Sequence, residues 1–205
     1  MKTSIAKALF QSHSYIEYRK LISDLLRQQQ STSKTPSEEL THYSSLNDTR
    51  MQRLDKTMVV PETIISKLTS LKETYIWLVI SEGWCGDAAQ LLPIFNKMAL
   101  ASDGIIDLRI VLRDENEELM QLFLTNKTKA IPKLIVIHKE TSGALAHWGP
   151  RPKDAADLIT DYKKTHGTID EAAKTALQLW YLQDKGRTTQ LEVLDMMLDL
   201  DNPEV

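Results

Sequence analysis

The chain has 205 residues, 42% of them hydrophobic, which is enough for one packed domain-sized unit with additional elements. Its 25 basic and 28 acidic residues give a formal charge of −3, which leaves no charge surplus for wrapping nucleic acid. A single cysteine excludes an intramolecular disulfide, and no apolar stretch is long enough to cross a bilayer. Because Lys7, Glu17, Arg19 and Lys20 interrupt the first apolar residues, we predict no secretion signal and expect a cytoplasmic location.

Residues 1–72 are predicted to form a helical N-terminal extension. Ser14 and Glu17 have the spacing of a capping box, Thr35-Pro36 repeats a helix-start signal, and Pro61 begins a third helix. Arg50 and Arg53 of the second helix are interpreted as part of a charged helix face. If this helix packs over the mouth of the site described below, it could gate access to it.

In residues 73–165 the hydrophobic residues no longer follow helical spacing throughout. This segment is predicted to form an α/β domain with a small mixed β-sheet flanked by helices. The segment Tyr75–Ser81 is a continuous β-branched and aromatic run, which is typical of a strand covered on both faces. The other predicted elements are helices at 86–101, 115–125 and 153–164 and strands at 105–112, 134–138 and 144–147.

Residues 166–205 are predicted to form a C-terminal helical extension packed on the same unit. Gly186 is expected to end its first helix, and Thr188 or Thr189 to cap the second. The apolar stripes of both extensions are interpreted as core packing, because these helices carry no recognisable chemistry.

Chemistry concentrates where the first strand meets the following helix. The only cysteine, Cys85, stands at the helix start, where unpaired N–H groups and the helix dipole favour a thiolate. Gly83 and Gly86 bracket it and permit close approach of a partner. Pro93 should kink the helix, and Pro132 precedes a buried strand.

These features resemble the thioredoxin superfamily, in which a Trp-Cys-Gly-Pro-Cys motif joins a strand to a helix and faces a cis-proline. Trp84, Cys85 and Gly86 match the motif, Pro93 the helix proline, and Ile131-Pro132 the pair with the cis-proline. Gly149 resembles the glycine that lets partners approach. The resemblance implies a thioredoxin-like fold over about residues 74–165, with Trp84, Gly86, Ile131, Pro132 and Gly149 as binding residues.

More narrowly, the sequence resembles a group of bacterial thioredoxin-like proteins with a single-cysteine Trp-Cys-Gly-Asp motif and helical extensions at both ends. The group also carries a Trp-Gly-Pro-Arg-Pro stretch, which is Trp148–Pro152 here. This resemblance implies a fold and not an activity.

Departures from the thioredoxin motif limit the chemistry of the site. Ala88 replaces the second cysteine, Asp87 replaces the proline before it, and Val79 stands where many thioredoxins keep a buried acid. A dithiol cycle needs two sulfur atoms, so this chain alone cannot act as a dithiol reductase.

Three hypotheses remain open. Cys85 could exchange mixed disulfides with a low-molecular-weight thiol or a client protein, although the negative charge of Asp87 would raise the pKa of the thiol. Alternatively, the face around Cys85 and Pro132 is a redox-inactive module that binds an extended peptide. In the third hypothesis Cys85 is inert and the protein is a scaffold.

Other candidate sites are weak. The five histidines never occur at metal-ligand spacing, so we predict no metal site, and no motif indicates a cofactor. Lys133 is the nearest candidate cation to offset Asp87, but a solvated surface lysine is the favoured interpretation.

The missing second sulfur gives the first testable prediction. The purified protein should reduce insulin disulfides no faster than dithiothreitol does by itself, because no resolving thiol is present. The measurement is the turbidity of precipitating insulin chains, and robust turnover by the chain alone would contradict the motif assignment.

Overall fold

The computed structural model describes residues 1–202; residues 203–205, the end of the predicted C-terminal extension, lie outside the described part. The described helices are α1 (Lys2–Phe10), α2 (Tyr15–Arg27), α3 (Glu38–Thr57), α4 (Glu62–Leu68), α5 (Gly86–Ala101), α6 (Glu117–Leu122), α7 (Lys153–His166), α8 (Glu171–Asp184) and α9 (Arg187–Asp201). The strands are β1 (Tyr75–Ser81), β2 (Ile106–Leu112), β3 (Lys133–His138) and β4 (Ala144–Trp148).

The four strands form one mixed sheet in the order β2-β1-β3-β4. β1 runs parallel to β2 and antiparallel to β3, and β4 is the antiparallel hairpin partner of β3. Successive residues of β1 and β3 are buried, including Trp77, Leu78 and Val79, so both faces of the central strands are covered. The architecture confirms the predicted α/β class, with a small mixed sheet and added helices at both ends.

Both helical extensions pack onto the core that surrounds this sheet. Tyr18 of α2 is buried and its hydroxyl lies 3.2 Å from that of Ser81 at the end of β1. At the other end of the chain, Asp201 accepts hydrogen bonds from the backbone N–H of Lys72 and from the Tyr75 hydroxyl at 2.8 Å. These contacts tie the first and last segments to the same strand. The proposed boundaries near residues 72 and 165 stay predictions.

Several helix ends differ from the sequence prediction. The predicted threonine caps of the last helix are wrong, because Lys185 and Gly186 both have left-handed backbone conformations, and α9 begins directly after Gly186. A Cβ atom at Gly186 would lie 2.8 Å from Ile94, so the turn requires glycine. The helix predicted over 115–125 is shorter, because a 3₁₀ turn at Arg113–Glu115 precedes α6.

A buried carboxyl group connects the end of β1 to two neighbouring segments. Glu82 is fully buried and accepts hydrogen bonds from the Thr32 hydroxyl and, at 2.9 Å, from the Asp114 backbone N–H. The Thr32 hydroxyl in turn accepts the Gly83 N–H at 3.0 Å. Burial, which outweighs these hydrogen bonds, raises the pKa of Glu82 to about 7.

This raised pKa predicts a pH dependence of stability. Because the pKa of the folded form, about 7, exceeds the unfolded value of 4.5, the stability contributed by the protonated carboxyl is complete below pH 4.5 and is lost as the pH rises through 7. The loss should amount to about 3 kcal/mol. Glu82→Gln removes this titrating group. Between pH 4.5 and pH 7, the free energy of unfolding of the wild type, measured in urea, should therefore fall relative to that of the variant.

Exposed Glu118 provides the matched control for this experiment. Glu118→Gln should leave the pH profile of stability parallel to that of the wild type, because this side chain lies at the surface. Parallel profiles for the wild type and Glu82→Gln would contradict the raised pKa of Glu82.

Candidate functional site

The strand-to-helix junction brings the predicted thiol and the predicted cis-proline together. Cys85 is the N-cap residue of α5, and its Sγ lies 3.3 Å from the backbone carbonyl oxygen of Ile131, to which it donates a hydrogen bond. The Ile131-Pro132 peptide bond is cis, as predicted. Cys85 and Ile131 are only 8% and 6% exposed, so the structure buries both residues at the centre of the site.

Asp87 forms the centre of a buried polar cluster that we call the Asp87 clamp, consisting of Asp87, Arg151 and Tyr181. The Arg151 guanidinium lies 2.7 Å from one carboxylate oxygen of Asp87, and the Tyr181 hydroxyl donates a 2.9 Å hydrogen bond to the other. Asp87 is on the first turn of α5, Arg151 follows β4, and Tyr181 is on α8. The clamp therefore joins three separate segments beside the thiol.

The surroundings of Cys85 oppose thiolate formation. Burial, followed by the negative charge of Asp87, raises the pKa of the Cys85 thiol to about 12. The N–H groups of Ala88 and Asp87 and the charge of Arg151 act in the opposite direction, with smaller effect. The start of the helix thus lowers the pKa of the thiol, as predicted, but burial and Asp87 raise it by more. The predicted role of Asp87, to raise the pKa of the thiol, agrees with its position.

The cation that offsets Asp87 is Arg151, which the sequence analysis did not pair with it. The sequence signal was the arginine of the stretch Trp148–Pro152, but its partner lies more than sixty residues away. The interpretation of Lys133 as a solvated surface residue is wrong, because Lys133 is 1% exposed. Its ammonium group donates to the Gly149 carbonyl at 2.8 Å and to the Thr125 hydroxyl, and burial lowers its pKa to about 8.

Gly149 is required by packing inside the protein. Its φ is +106°, and a Cβ atom there would lie 2.6 Å from the backbone carbonyl oxygen of Pro132. The absence of a side chain thus lets the segment after β4 approach the cis-proline. Whether Gly149 also admits a partner stays a prediction.

Trp84 and Gly86 are the most accessible residues of the motif, since both are half-buried. The Arg113 guanidinium lies 4.7 Å from the centre of the Trp84 ring, as in a cation–π contact. At Val79 the structure shows a fully buried side chain, so no acid lies at that point beneath the motif.

A cleft of about 490 Å³ opens in front of Trp84, Gly86 and Asp87. Its walls come from α3 of the N-terminal extension and α8 of the C-terminal extension. Asn47 of α3 holds the wall in place by donating a 3.0 Å hydrogen bond to the Gly83 carbonyl. The cleft is lined by Leu40, Tyr43, Leu46, Asn47, Arg50, Trp84, Gly86, Asp87, Arg151, Glu171, Lys174, Thr175, Leu177 and Gln178.

Residues 1–202 contain neither a candidate metal cluster nor a candidate membrane span. No group of three or more histidine, cysteine, aspartate or glutamate side chains in this part of the chain is placed to hold a metal ion. None of its helices combines the length and the apolar character that a membrane span requires.

Comparisons with solved structures agree with this fold. The chain resembles a protein of unknown function from Pseudomonas aeruginosa, with 17% identity and a TM-score of 0.55 over 91% of this chain and 98% of that one. It also resembles a scaffold carrying an HIV epitope, with 18% identity and a TM-score of 0.53 over the same shares of the two chains. At these identities the likeness shows the fold alone. No curated protein matches the sequence.

A family model described as Thioredoxin matches residues 33–163, which is more than half of the chain. The match begins before α3, so it includes two helices, α3 and α4, that the sequence analysis assigned to the N-terminal extension. The resemblance to the single-cysteine group stays a prediction. Together, the mixed sheet, the cis-proline beside Cys85 and this match show that the chain belongs to the thioredoxin family.

Proposed function

We propose that this protein is a redox-inactive thioredoxin-fold binding module. The observation that carries the proposal is the state of the Cys85 thiol, which is buried, hydrogen-bonded to the Ile131 carbonyl and adjacent to the carboxylate of Asp87. In this arrangement the thiol serves as a packed core group that fixes the cis-proline loop against the start of α5.

The same observations argue against monothiol exchange. Such exchange begins with attack of a thiolate on a disulfide sulfur, which forms a mixed disulfide and expels the other sulfur as a thiolate. With a pKa of about 12 for Cys85, only about one molecule in 10⁵ carries the thiolate at pH 7. Arg151 and Tyr181 also hold the Asp87 carboxylate on the first turn of α5, where its negative charge opposes a thiolate at Cys85.

The binding surface is also displaced from the thioredoxin face. Strand-like pairing of a client with Ile131 is disfavoured, because this residue is 6% exposed and its carbonyl accepts the thiol hydrogen bond. Trp84 and Gly86 remain half-buried and face the cleft between α3 and α8. We infer that the two helices replace the open client groove with this cleft, so that binding does not involve the sulfur.

Alkylation of Cys85 by iodoacetamide tests the proposal. At pH 7.5 the folded protein should react far more slowly than the same chain in denaturant, where the thiol pKa returns to about 8.5. Asp87→Asn should raise the rate roughly tenfold, because it removes the negative neighbour and releases Arg151. Mass spectrometry of quenched samples gives the rates, with Cys85→Ser as the blank.

Tyr181→Phe is the matched control, because it removes one hydrogen bond of the clamp and leaves the charge of Asp87 in place. Its rate should stay close to that of the wild type. If the folded wild type reacts with a pH midpoint at or below about 8.5, the thiol is available and the redox-inactive proposal fails.

A further inference from the structure

The cleft between α3 and α8 contains an uncompensated positive charge. Its charged lining residues are three cations and two acids, and two of the cations are paired: Arg151 with Asp87, and Lys174 with Glu171 at 2.6 Å. Arg50 has no acidic partner within residues 1–202, and its described hydrogen bond is to the side chain of Asn47. The sequence analysis interpreted Arg50 as part of a charged helix face, and the structure places this residue half-buried in the cleft wall.

The surroundings of Arg50 are also unfavourable for an unpaired positive charge. The Arg50 side chain is half-buried, and this burial, together with the neighbouring charge of Arg53, lowers its pKa. Asp87 acts in the opposite direction, but its carboxylate is already bonded to Arg151 and Tyr181. An anion that enters the cleft would thus meet a cation that no acidic group of residues 1–202 neutralises in an ion pair.

Gln178 of α8 supplies a second donor from the opposite wall. Its Oε1 accepts a 2.7 Å hydrogen bond from Gln90, which fixes the orientation of the amide. The Nε2 group is then directed away from Gln90 and lies 3.8 Å from the position that a Cβ atom of Gly86 would occupy. The Nη1 atom of Arg50 lies 3.8 Å from the same position.

Two nitrogen donors from different helices therefore converge on the open space in front of Gly86. Because glycine has no side chain, an oxygen atom can occupy this space between them. The rest of the cleft is mostly apolar, with Leu40, Leu46 and Leu177 among its lining residues and the rings of Tyr43 and Trp84. A volume of about 490 Å³ that combines apolar walls with a few convergent polar groups has the character of a small-molecule site.

From these contacts we propose that the cleft binds a small-molecule carboxylate with an apolar body. The carboxylate lies in front of Gly86 between Arg50 and Gln178, and the apolar body contacts the leucine and aromatic side chains of the two helices. This inference rests on the proposed function, because it names the class of ligand for the binding cleft.

A matched pair of probes tests the inference by isothermal titration calorimetry at pH 7.5. The wild-type chain should bind 1-naphthaleneacetate and should bind the neutral 1-naphthaleneacetamide at least about tenfold more weakly, since a charged hydrogen bond is worth roughly 1.5–3 kcal/mol. Arg50→Gln should weaken the acetate roughly tenfold and leave the acetamide nearly unchanged. Lys56→Gln, an exposed cation on the same helix and outside the cleft lining, is the control and should change neither affinity by more than about twofold.

Gly86→Ala gives an independent steric test. The added methyl group meets no protein atom closer than 3.8 Å, so the fold should be kept, as circular dichroism and thermal unfolding will show. The methyl group would occupy the carboxylate position, so binding of the acetate should be lost. Equal affinity for the two probes, equal effects of Arg50→Gln and Lys56→Gln, undiminished acetate binding by Gly86→Ala, or no binding by the wild type would each overturn the inference. None of these outcomes depends on thiol reactivity, which the alkylation experiment measures separately.

Discussion

The ion pair between Asp87 and Arg151, completed by the Tyr181 hydroxyl, is the interaction on which the rest of the site depends. It places a carboxylate on the first turn of α5, beside the thiol, and pairs that carboxylate with a partly buried guanidinium. A buried charge without a partner would be strongly destabilising, so Asp87 and Arg151 require one another. Because Asp87 and Arg151 are far apart in the sequence, their ion pair also fixes the segment after β4 against the start of α5.

Under the proposed function, the clamp explains why a thioredoxin-family site would lack thioredoxin chemistry. A reactive cysteine needs an accessible sulfur and surroundings that favour the thiolate. Here burial and the carboxylate raise the pKa of Cys85, and the sulfur donates its proton to the Ile131 carbonyl. The substitution of Asp87 for the motif proline and the loss of the second cysteine at Ala88 are consistent with each other, since both remove steps of the dithiol cycle.

The helical extensions change which surface of the fold is open. Tyr181 and Gln178 of α8 contact side chains of α5, and Asn47 of α3 is bonded to Gly83. These contacts place two helices on either side of the motif and create a cleft where a thioredoxin domain without extensions has no walls. The donors that line this cleft, from Arg50 and Gln178, come from the extensions and not from the family motif.

Local signals in the sequence were sufficient for the fold and for the centre of the site. The β-branched run of β1 and the glycines around Cys85 predicted a buried strand and the strand-to-helix turn. The cis-proline facing the thiol was implied by the resemblance to thioredoxins. Long-range partners could not be predicted, because nothing near Asp87 in the sequence indicates that Arg151 and Tyr181 would reach it. Lys133 was misread for the same reason, since burial of a charged side chain depends on elements that meet only in the folded chain.

The most direct test of this account is the ultraviolet absorbance of the Cys85 thiolate near 240 nm, recorded as a pH titration of the wild type minus that of Cys85→Ser. The account predicts no thiolate step in the folded protein below about pH 10 and a step near 8.5 when the chain is unfolded in denaturant. A step at or below 8.5 in the folded protein would show that the Asp87 clamp and burial do not suppress ionisation, and would contradict the claim that the site is redox-inactive.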